Sequence, residues 1–123
     1  MAVTRVLDTN AVLYALGGRL GEPLPAGNYA VSVITALELL SFPALGPSDE
    51  SAIKEFLSDV ENIDLTLPVK EVAVALRRQH RLKLPDAIIV GTALALGAEL
   101  ITNDARLHQI PDLMTRFPVL KGA

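Results

Sequence analysis

The sequence contains no cysteine and no tryptophan, and its aromatic residues are limited to three phenylalanines and two tyrosines among 123 residues. The lack of cysteine excludes disulfides, thiolate metal sites and a cysteine nucleophile, and it favours a reducing compartment such as the cytoplasm. The scarcity of aromatic rings means that the core must be aliphatic. It also means that little surface is available for stacking nucleic-acid bases.

Long hydrophobic runs and a strong charge of either sign are also missing. Asp8 interrupts the first apolar run, which therefore lacks the form of a signal peptide, and the run from Ala87 to Ala98 is too short to span a bilayer. The formal net charge is −3, so the molecule as a whole is not suited to binding polyanions. We expect a cytoplasmic protein with no membrane partner, in which any nucleic-acid contact uses a local basic patch or a metal ion.

Half of the residues are hydrophobic, which indicates a globular chain, and we expect residues 1–123 to form one domain. Hydrophobic runs of strand length alternate with segments of helical spacing along the sequence. The predicted strands are Val3–Leu7, Tyr29–Ser32, Ile63–Leu67, Ala98–Thr102 and a final edge strand, Val119–Leu120. This alternation predicts an α/β fold with a short, mainly parallel sheet that helices cover on both faces.

One segment, Leu82 to Asp104, combines a helix, a turn and a strand with a carboxylate near each end. Pro85 fits the first helical position, and Asp86 falls in the first turn, where free N–H groups and the helix dipole favour a negative charge. The residues between Asp86 and Gly97 are apolar or small on every side, which predicts a helix that is buried all round and ends at Gly97. Because Asp86 lies in the first turn of this helix and Asp104 directly follows the strand, we predict that Asp86 and Asp104 face one site.

Two further carboxylates, Asp8 and Glu38, are predicted to lie at the same end of the sheet. Asp8 and Asp104 each follow a predicted strand, and Glu38 lies on the helix after the second strand. Ligands of parallel sheets bind outside the carboxyl ends of the strands, where these acids are expected. For Asp8 or Asp104 alone, capping of a helix is the more ordinary explanation. The apolar neighbours of Glu38 make a charge costly there unless it is matched, which favours a role in the site.

Four carboxylates in one place repel each other, so the cluster needs a cation, a shared proton or both. All-oxygen donors with no cysteine and no nearby histidine favour Mg²⁺ or Mn²⁺ over Zn²⁺. Such a set predicts metal-assisted attack of water on a phosphodiester, with one carboxylate accepting a proton. Neutral hydrogen-bonding residues that flank the acids are suited to holding the carboxylates or water, and they are Thr9, Asn10, Thr102 and Asn103.

A basic segment, Arg77 to Lys83, precedes Asp86 along the chain. Such a run is most often a solvated helix end that complements the helix dipole. Its position beside Asp86 makes contact with a nucleic-acid backbone the alternative interpretation. The candidate backbone contacts are Arg78, Arg81, Lys83 and Arg106.

The sequence resembles the PIN-domain family, and most closely its VapC-type toxin ribonucleases from VapBC toxin–antitoxin pairs. Four segments in the family's order carry the resemblance: LDTNAVLYAL at 7–16, SVITALELL at 32–40, LKLPDAIIVGTAL at 82–94 and LITND at 100–104. The resemblance implies a compact three-layer α/β/α sandwich. It implies catalytic and metal-binding roles for the four acids, which are Asp8, Glu38, Asp86 and Asp104. It also implies Mg²⁺- or Mn²⁺-dependent cleavage of RNA, homodimers, and inhibition by a cognate antitoxin protein.

Other function classes fit parts of the pattern. A stand-alone PIN-domain RNA-processing nuclease would carry the same acids. A non-catalytic PIN-like module that binds RNA or protein would be favoured by an incomplete set, whereas this set is complete. Haloacid-dehalogenase-type phosphatases place a second aspartate two residues after the nucleophile, but Thr9 and Asn10 follow Asp8. One departure from the family is the loop from Gly17 to Asn28, which replaces a longer helical region that helps form the antitoxin groove in the toxins.

Overall fold

Within residues 2–122, which the computed structural model describes, five short parallel strands form the centre of the protein. They are β1 (Arg5–Leu7), β2 (Tyr29–Ser32), β3 (Glu61–Ile63), β4 (Glu99–Ile101) and β5 (Thr115–Arg116). The strand order is β3-β2-β1-β4-β5, and every neighbouring pair is parallel. The central strand β1 pairs through Val6 with Ala30 of β2 and with Leu100 of β4. A parallel sheet of this kind needs helices on both faces, which explains why its central strands are apolar on both sides.

Five α-helices in the same part of the chain supply that cover. They are α1 (Thr9–Leu16), α2 (Val33–Leu40), α3 (Pro47–Asp59), α4 (Leu67–His80) and α5 (Leu84–Leu96). One core cluster joins α4 and α5 to alternate strand residues, which are Val6, Ala30 and Leu100. The other joins α1, α2 and α3 to the next residue of each strand, namely Leu7, Val31 and Ile101. Since successive strand residues point to opposite faces, each strand supplies both cores. The expected three-layer α/β/α sandwich is confirmed.

Local side-chain chemistry sets several helix boundaries. Asp8, Ser32 and Thr66 cap α1, α2 and α4, because their side-chain oxygens accept hydrogen bonds from N–H groups of the first turn. The helices α4 and α5 end at left-handed residues, Arg81 with φ 54° and Gly97 with φ 63°. The predicted end of α5 at Gly97 is confirmed, since glycine adopts this conformation without a steric penalty.

The third strand differs from its predicted position. The predicted bounds, Ile63–Leu67, are wrong because β3 ends at Ile63 and Leu67 already begins α4. The hydroxyl of Thr66 accepts a hydrogen bond from the first turn of α4. A capped helix start therefore outweighs the alternation of apolar residues that predicted a strand here.

Helix α5 departs from prediction in two details. It begins at Leu84, so Pro85 is its second residue rather than its first. Burial is continuous from Ala87 to Ala93, but the last residues of the helix, including Leu96, are exposed, so burial all round is wrong for its final turn. None of the helices in the described residues combines the length and the apolar character needed to cross a bilayer.

The last strand lies earlier in the chain than the predicted edge strand, Val119–Leu120. Leu120 instead forms an isolated antiparallel bridge with Leu20. β5 occupies a segment for which no strand was predicted, and its Arg116 donates from Nε to Glu99 Oε1 of β4 at 2.9 Å. This ion pair connects the two-residue strand to its neighbour, and the partners become visible only when the sheet order is known.

Candidate active site

Four acidic side chains meet in one cavity at the carboxyl-terminal end of the sheet. The cavity has a volume of about 300 Å³, and its polar lining residues are Asp8, Thr9, Asn10, Glu38, Asp86 and Asp104. Its apolar lining residues are Leu13, Phe42, Ile89 and Leu107. We call this space the acidic cavity. Its position follows from topology, because the neighbouring strands β1 and β4 both end here, α5 begins here and α2 follows β2.

Asp8 is the most enclosed of these acids, with 8% of its surface exposed. Its Oδ1 accepts a hydrogen bond from the Ala11 N–H at 2.8 Å, so the residue caps α1 as well as lining the cavity. Burial raises the pKa of this carboxyl above its ordinary value; the Thr102 hydroxyl and the Ala11 N–H oppose the rise, and the charges of Asp104 and Asp86 add to it. Asp8 is therefore a better proton acceptor than a solvent-exposed aspartate.

Glu38 is held by Thr9 of the neighbouring helix α1, and Thr9 in turn contacts Thr35 of α2. Thr9 Oγ1 donates to Glu38 Oε1 at 2.6 Å, and the Thr9 and Thr35 hydroxyls are 3.1 Å apart. Because Thr9 has a single hydroxyl proton and gives it to Glu38, Thr35 must donate to Thr9. Glu38 itself is exposed, as is its neighbour Leu37, whereas Thr35 and Leu39 face the interior. The expectation that apolar neighbours make a charge at Glu38 costly is therefore wrong, although Glu38 does line the acidic cavity.

Arg106 forms ion pairs with two of the acids. Its Nε donates to Asp104 Oδ1 at 3.1 Å, and its Nη2 donates to Asp104 Oδ2 at 2.6 Å. The same Nη2 lies 3.6 Å from Asp86 Oδ2. The Arg106 hydrogen bond is the main cause that lowers the pKa of Asp104. At Asp86, burial raises the pKa and outweighs the opposing charge of Arg106. The two carboxyls are thus shifted in opposite directions, a pattern common in functional sites.

Thr102 and His108 fix the connection that follows β4. Thr102 is fully buried, and its hydroxyl accepts a hydrogen bond from the Asp104 N–H at 3.1 Å. His108 Nε2 donates to the Thr102 carbonyl at 2.7 Å, and its ring stacks on Phe117 with the centroids 3.6 Å apart. Sequence reasoning identified Thr102 but missed His108 and Thr35. The sequence could indicate a role for His108 only through its position four residues after Asp104, because its stacking partner Phe117 lies in a later segment.

Not every residue that was predicted for the site reaches it. Asn103, Arg78 and Arg81 are exposed, and within the described residues they lie outside the lining of the acidic cavity. Lys83 precedes α5 and is exposed. Burial is the main cause that raises the pKa of Asp86, and the positive charge of Lys83 lowers it. Within the basic segment, Lys83 therefore influences the pKa of Asp86, whereas Arg78 and Arg81 face solvent.

The oxygen donors of the acidic cavity match a hard divalent cation in kind. One guanidinium nitrogen of Arg106 reaches both Asp104 and Asp86, so a single small cation can also lie between these carboxylates. Within residues 2–122, no three acidic, histidine or cysteine side chains are arranged as a ready-made metal site. The residues therefore fit an ion that is held by one or two carboxylates and completed by water or phosphate, which is how Mg²⁺ commonly binds.

A larger cavity, of about 610 Å³, lies beside the starts of β2 and β3 at the other end of the sheet. Tyr29, Asp59 and Glu61 are among its lining residues, and the Tyr29 hydroxyl donates to the Pro25 carbonyl. Both acids are exposed. Size alone would favour this cavity as a ligand site. The convergence of perturbed carboxyls favours the smaller acidic cavity as the place of chemistry.

Comparison with known families gives one match that covers most of the chain. The family model described as PIN domain matches residues 5–113. Among curated proteins, no significant match was found.

Solved structures with the same fold include several toxin–antitoxin complexes. A toxin–antitoxin complex from Klebsiella pneumoniae contains a chain with 33% identity and a TM-score of 0.76, and the match covers 91% of this chain and 97% of that one. VapBC-1 from nontypeable Haemophilus influenzae has 25% identity and a TM-score of 0.73, with 93% and 97% covered. VapBC2 from Rickettsia felis, bound to a DNA fragment from its promoter, has 24% identity and a TM-score of 0.79, with 93% and 98% covered.

Proposed function

The chain belongs to the PIN domain family, and we propose that it is a metal-dependent RNA endonuclease of the VapC toxin type. The observation that carries the proposal is the convergence of four carboxylates in the acidic cavity, from Asp8, Glu38, Asp86 and Asp104. The similar chain in the Klebsiella pneumoniae toxin–antitoxin complex supports the toxin assignment. RNA as the substrate is what the family resemblance implies.

The proposed reaction is hydrolysis of a phosphodiester bond by water. The water oxygen attacks phosphorus and its proton passes to a carboxylate. As the bond from phosphorus to the leaving oxygen breaks, that oxygen takes up a proton from solvent. Asp8 is the proposed proton acceptor, because burial raises its pKa and because it lines the cavity in which the attacking water would bind. Thr35 and Thr9 hold the Glu38 carboxylate at the cavity, and Thr102 fixes the backbone of Asp104.

Asp86 and Asp104 are the residues that we propose to hold Mg²⁺ or Mn²⁺, with Asp8 and Glu38 binding the ion directly or through water. When bound, such a cation neutralises negative charge on the phosphate and lowers the pKa of a bound water. Charge compensation is needed in any case, because the pKa of Asp86 is raised by burial and, in addition, by the charges of Asp104 and Glu38.

The basic segment is the proposed contact for the RNA backbone. Arg78, Arg81 and Lys83 are exposed, and Lys83 directly precedes the helix that carries Asp86. Cations at such positions bind phosphates irrespective of base sequence, and their contribution weakens with added salt. Arg106 is a further candidate because it already lies beside the acids.

An antitoxin protein is the proposed partner. An apolar groove of about 280 Å³ lies between α1 and α3, and its lining includes Leu16, Leu45 and Ile53. It shares Leu13 and Phe42 with the acidic cavity. A helix or strand with an apolar stripe would bury this groove and at the same time block access to the acids. Co-purification of the chain with the product of an adjacent reading frame checks this partner and distinguishes a toxin from a stand-alone processing nuclease.

The proposed activity is tested by incubating the purified chain with structured RNAs in Mn²⁺ and then in EDTA. We expect cleavage that requires the metal and that falls at least about 100-fold in Asp86→Asn, the lower range for loss of a catalytic proton or charge function. Asp59→Asn makes the same chemical change at an exposed residue of α3 and should cleave like the wild type. Cutting that survives EDTA, or that survives Asp86→Asn, would contradict the proposal.

A non-catalytic RNA-binding module is the second candidate function. It is favoured by the ion pairs of Arg106, which already neutralise part of the acid cluster without a metal. The same experiment separates the two functions. A module binds RNA in a salt-dependent way and leaves it intact in both Mn²⁺ and EDTA, whereas the proposed nuclease cuts in Mn²⁺.

A further inference from the structure

The Arg106 guanidinium lies where a cation shared by two carboxylates would have to bind. It forms two parallel hydrogen bonds with Asp104, at 3.1 and 2.6 Å, and its Nη2 also lies 3.6 Å from Asp86 Oδ2. Both oxygens of Asp104 are therefore engaged by one side chain of the same chain. Planar, bidentate pairing of this kind is the strongest geometry that arginine offers to a carboxylate.

The contact between Arg106 and Asp104 is local, and it can break without unfolding of the protein. Arg106 is two residues from Asp104, and its backbone N–H also donates to Asp104 Oδ1 at 3.0 Å, so the loop itself does not depend on the guanidinium. The Arg106 side chain is 66% exposed, while those of Asp86 and Asp104 are about half as exposed, at 30% and 32%. The guanidinium therefore lies on the solvent side of the acids and can rotate away into water.

A divalent cation needs the same carboxylate oxygens. Mg²⁺ and Mn²⁺ bind oxygen at short distances in a fixed geometry, which leaves no room for a guanidinium on the same lone pairs. Two cations next to each other also repel. A metal ion and the Arg106 guanidinium therefore cannot bind the Asp86–Asp104 pair at the same time.

We propose that Arg106 is an intramolecular competitor of the divalent cation: it neutralises Asp86 and Asp104 when no metal is bound, and it lowers the affinity of the site for the metal. The inference rests on the proposed function, because it needs a metal at these acids. On metal binding the guanidinium is released towards the mouth of the acidic cavity. There it is free to pair with the next anion that arrives, a phosphate of the substrate.

Lys83 provides a control for charge alone. Its charge acts on Asp86, but among the described residues it takes part in no ion pair with the acids. Lys83→Ala therefore removes a nearby positive charge without vacating carboxylate oxygens. Arg106→Ala removes a charge and frees the oxygens, whereas Arg106→Lys keeps the charge but loses the bidentate geometry.

The experiment is calorimetric titration of Mn²⁺ into the full chain as wild type, Arg106→Ala, Arg106→Lys and Lys83→Ala, with Asp86→Asn to identify the site. We expect Arg106→Ala to bind Mn²⁺ about two- to fivefold more tightly than wild type, the range that corresponds to release from a partly exposed ion pair. Arg106→Lys should lie between the two, and Lys83→Ala should bind like wild type or only slightly more tightly. Equal or weaker binding by Arg106→Ala overturns the proposal.

A second readout observes the guanidinium directly. In nitrogen-15 spectra of the arginine side chains, the Nε–H signal of Arg106 is identified by its loss in Arg106→Lys. Addition of diamagnetic Mg²⁺ should shift this signal and speed its exchange with water, because its bond to Asp104 is broken. A signal that does not respond to a saturating Mg²⁺ concentration overturns the proposal.

The outcomes also separate this inference from the proposed function. If wild type binds Mn²⁺, and Asp86→Asn does not, but Arg106→Ala changes nothing, competition by Arg106 is wrong and the metal site stands. If no variant binds Mn²⁺, both the inference and the metal-dependent function are wrong.

Discussion

At the scale of single residues, the buried carboxyl of Asp8 links the stability of the fold to pH. Burial raises its pKa, and the charges of Asp104 and Asp86 add to the rise. In the unfolded chain the same group ionises at an ordinary aspartate pKa, so at neutral pH its ionisation favours the unfolded state. The penalty is fully present above the raised pKa of the folded state. It disappears as the pH falls through that pKa towards the unfolded value.

We predict that Asp8→Asn melts at a higher temperature than wild type at pH 7 in EDTA. Asparagine caps a helix about as well as aspartate, so the hydrogen bond to Ala11 is retained while the charge is removed. A gain of a few degrees is expected, since about 1 kcal/mol moves the melting temperature of a domain of this size by roughly 3 to 6 °C. The difference should narrow as the pH is lowered, because wild-type Asp8 then becomes protonated.

Thermal melts of both proteins from pH 7 downwards check this prediction, with Asp59→Asn as the exposed control. The melting temperature of Asp59→Asn should differ less from that of wild type than the melting temperature of Asp8→Asn does at pH 7. The prediction is contradicted if Asp8→Asn and wild type have the same melting temperature at pH 7, or if the difference between their melting temperatures widens at lower pH. Either result would show that the folded state does not raise the pKa of Asp8.

The acids of the site could be located from sequence, but their partners could not. Asp8 and Asp104 follow strands, and in a parallel sheet this is enough to bring them to one end. The bond of Thr35 to Thr9 and the stacking of His108 on Phe117 depend on how separate elements face each other. Residue spacing along one element carries no information about such contacts.

At the scale of elements, the close packing of α4 on α5 depends on Gly91. A Cβ atom at this position would meet the Val69 carbonyl oxygen at 3.2 Å and the Ala73 nitrogen at 3.4 Å. Both contacts are backbone atoms of α4, which cannot rotate away as a side chain can. Helix α5 also carries Asp86 at its first turn. The glycine thus helps to position one acid of the site.

We predict that Gly91→Ala lowers the free energy of unfolding by about 1 kcal/mol. Overpacking typically costs about 1 to 3 kcal/mol, and the better helix propensity of alanine offsets about 1 kcal/mol of this. Urea unfolding measures the difference.

Ala95→Gly makes the reverse change at an exposed position of the same helix, so it measures the difference in helix propensity between glycine and alanine alone. If Gly91→Ala stabilises the protein by as much as Ala95→Gly destabilises it, the close contact with α4 has no energetic effect and the prediction is wrong.

Sequence patterns identified elements better than their ends. The strand Tyr29–Ser32 has the predicted bounds, because apolar residues lie between a Gly-rich loop and a capping serine. The third strand and the last strand were misplaced. Each is only two or three residues long, and the structure defines it by pairing with a neighbour rather than by its own alternation.

At the scale of the whole molecule, α4 and the start of α5 expose an apolar patch. A shallow cavity of about 200 Å³ marks its centre, and its lining includes the exposed side chains of Leu65, Val74 and Leu84, with Lys70 and Arg77 beside them. Contiguous apolar surface of this kind often marks a protein interface. We therefore propose this patch as the contact surface of the expected homodimer.

We predict that the chain is a dimer at roughly tens of micromolar, an ordinary concentration range for a weak but specific contact. Val74→Glu should shift it to monomer, because Val74 is 52% exposed at the middle of the patch and a charge there resists burial. Met114→Glu is the matched control, since Met114 is 55% exposed but precedes β5 at the far edge of the sheet. Light scattering after size exclusion provides the measurement, and a wild type that is monomeric under these conditions contradicts the prediction.

The central claim is that the four acids form one cation site, and metal-dependent thermal stability tests it most directly. An ion that binds only the folded state raises the melting temperature. Wild type, Asp8→Asn and Asp59→Asn are melted in EDTA and again in excess Mn²⁺. All three comprise residues 1–123, and the two variants differ from wild type by the same chemical change.

We predict that Mn²⁺ raises the melting temperature of wild type and of Asp59→Asn by equal amounts. For Asp8→Asn we predict a clearly smaller rise from a higher starting value, because the mutation removes both a repulsive charge and a metal contact. If Mn²⁺ raises all three melting temperatures alike, Asp8 does not share a cation site with Glu38, Asp86 and Asp104. If Mn²⁺ changes none of the three melting temperatures, there is no such cation site, and the nuclease assignment loses its physical basis.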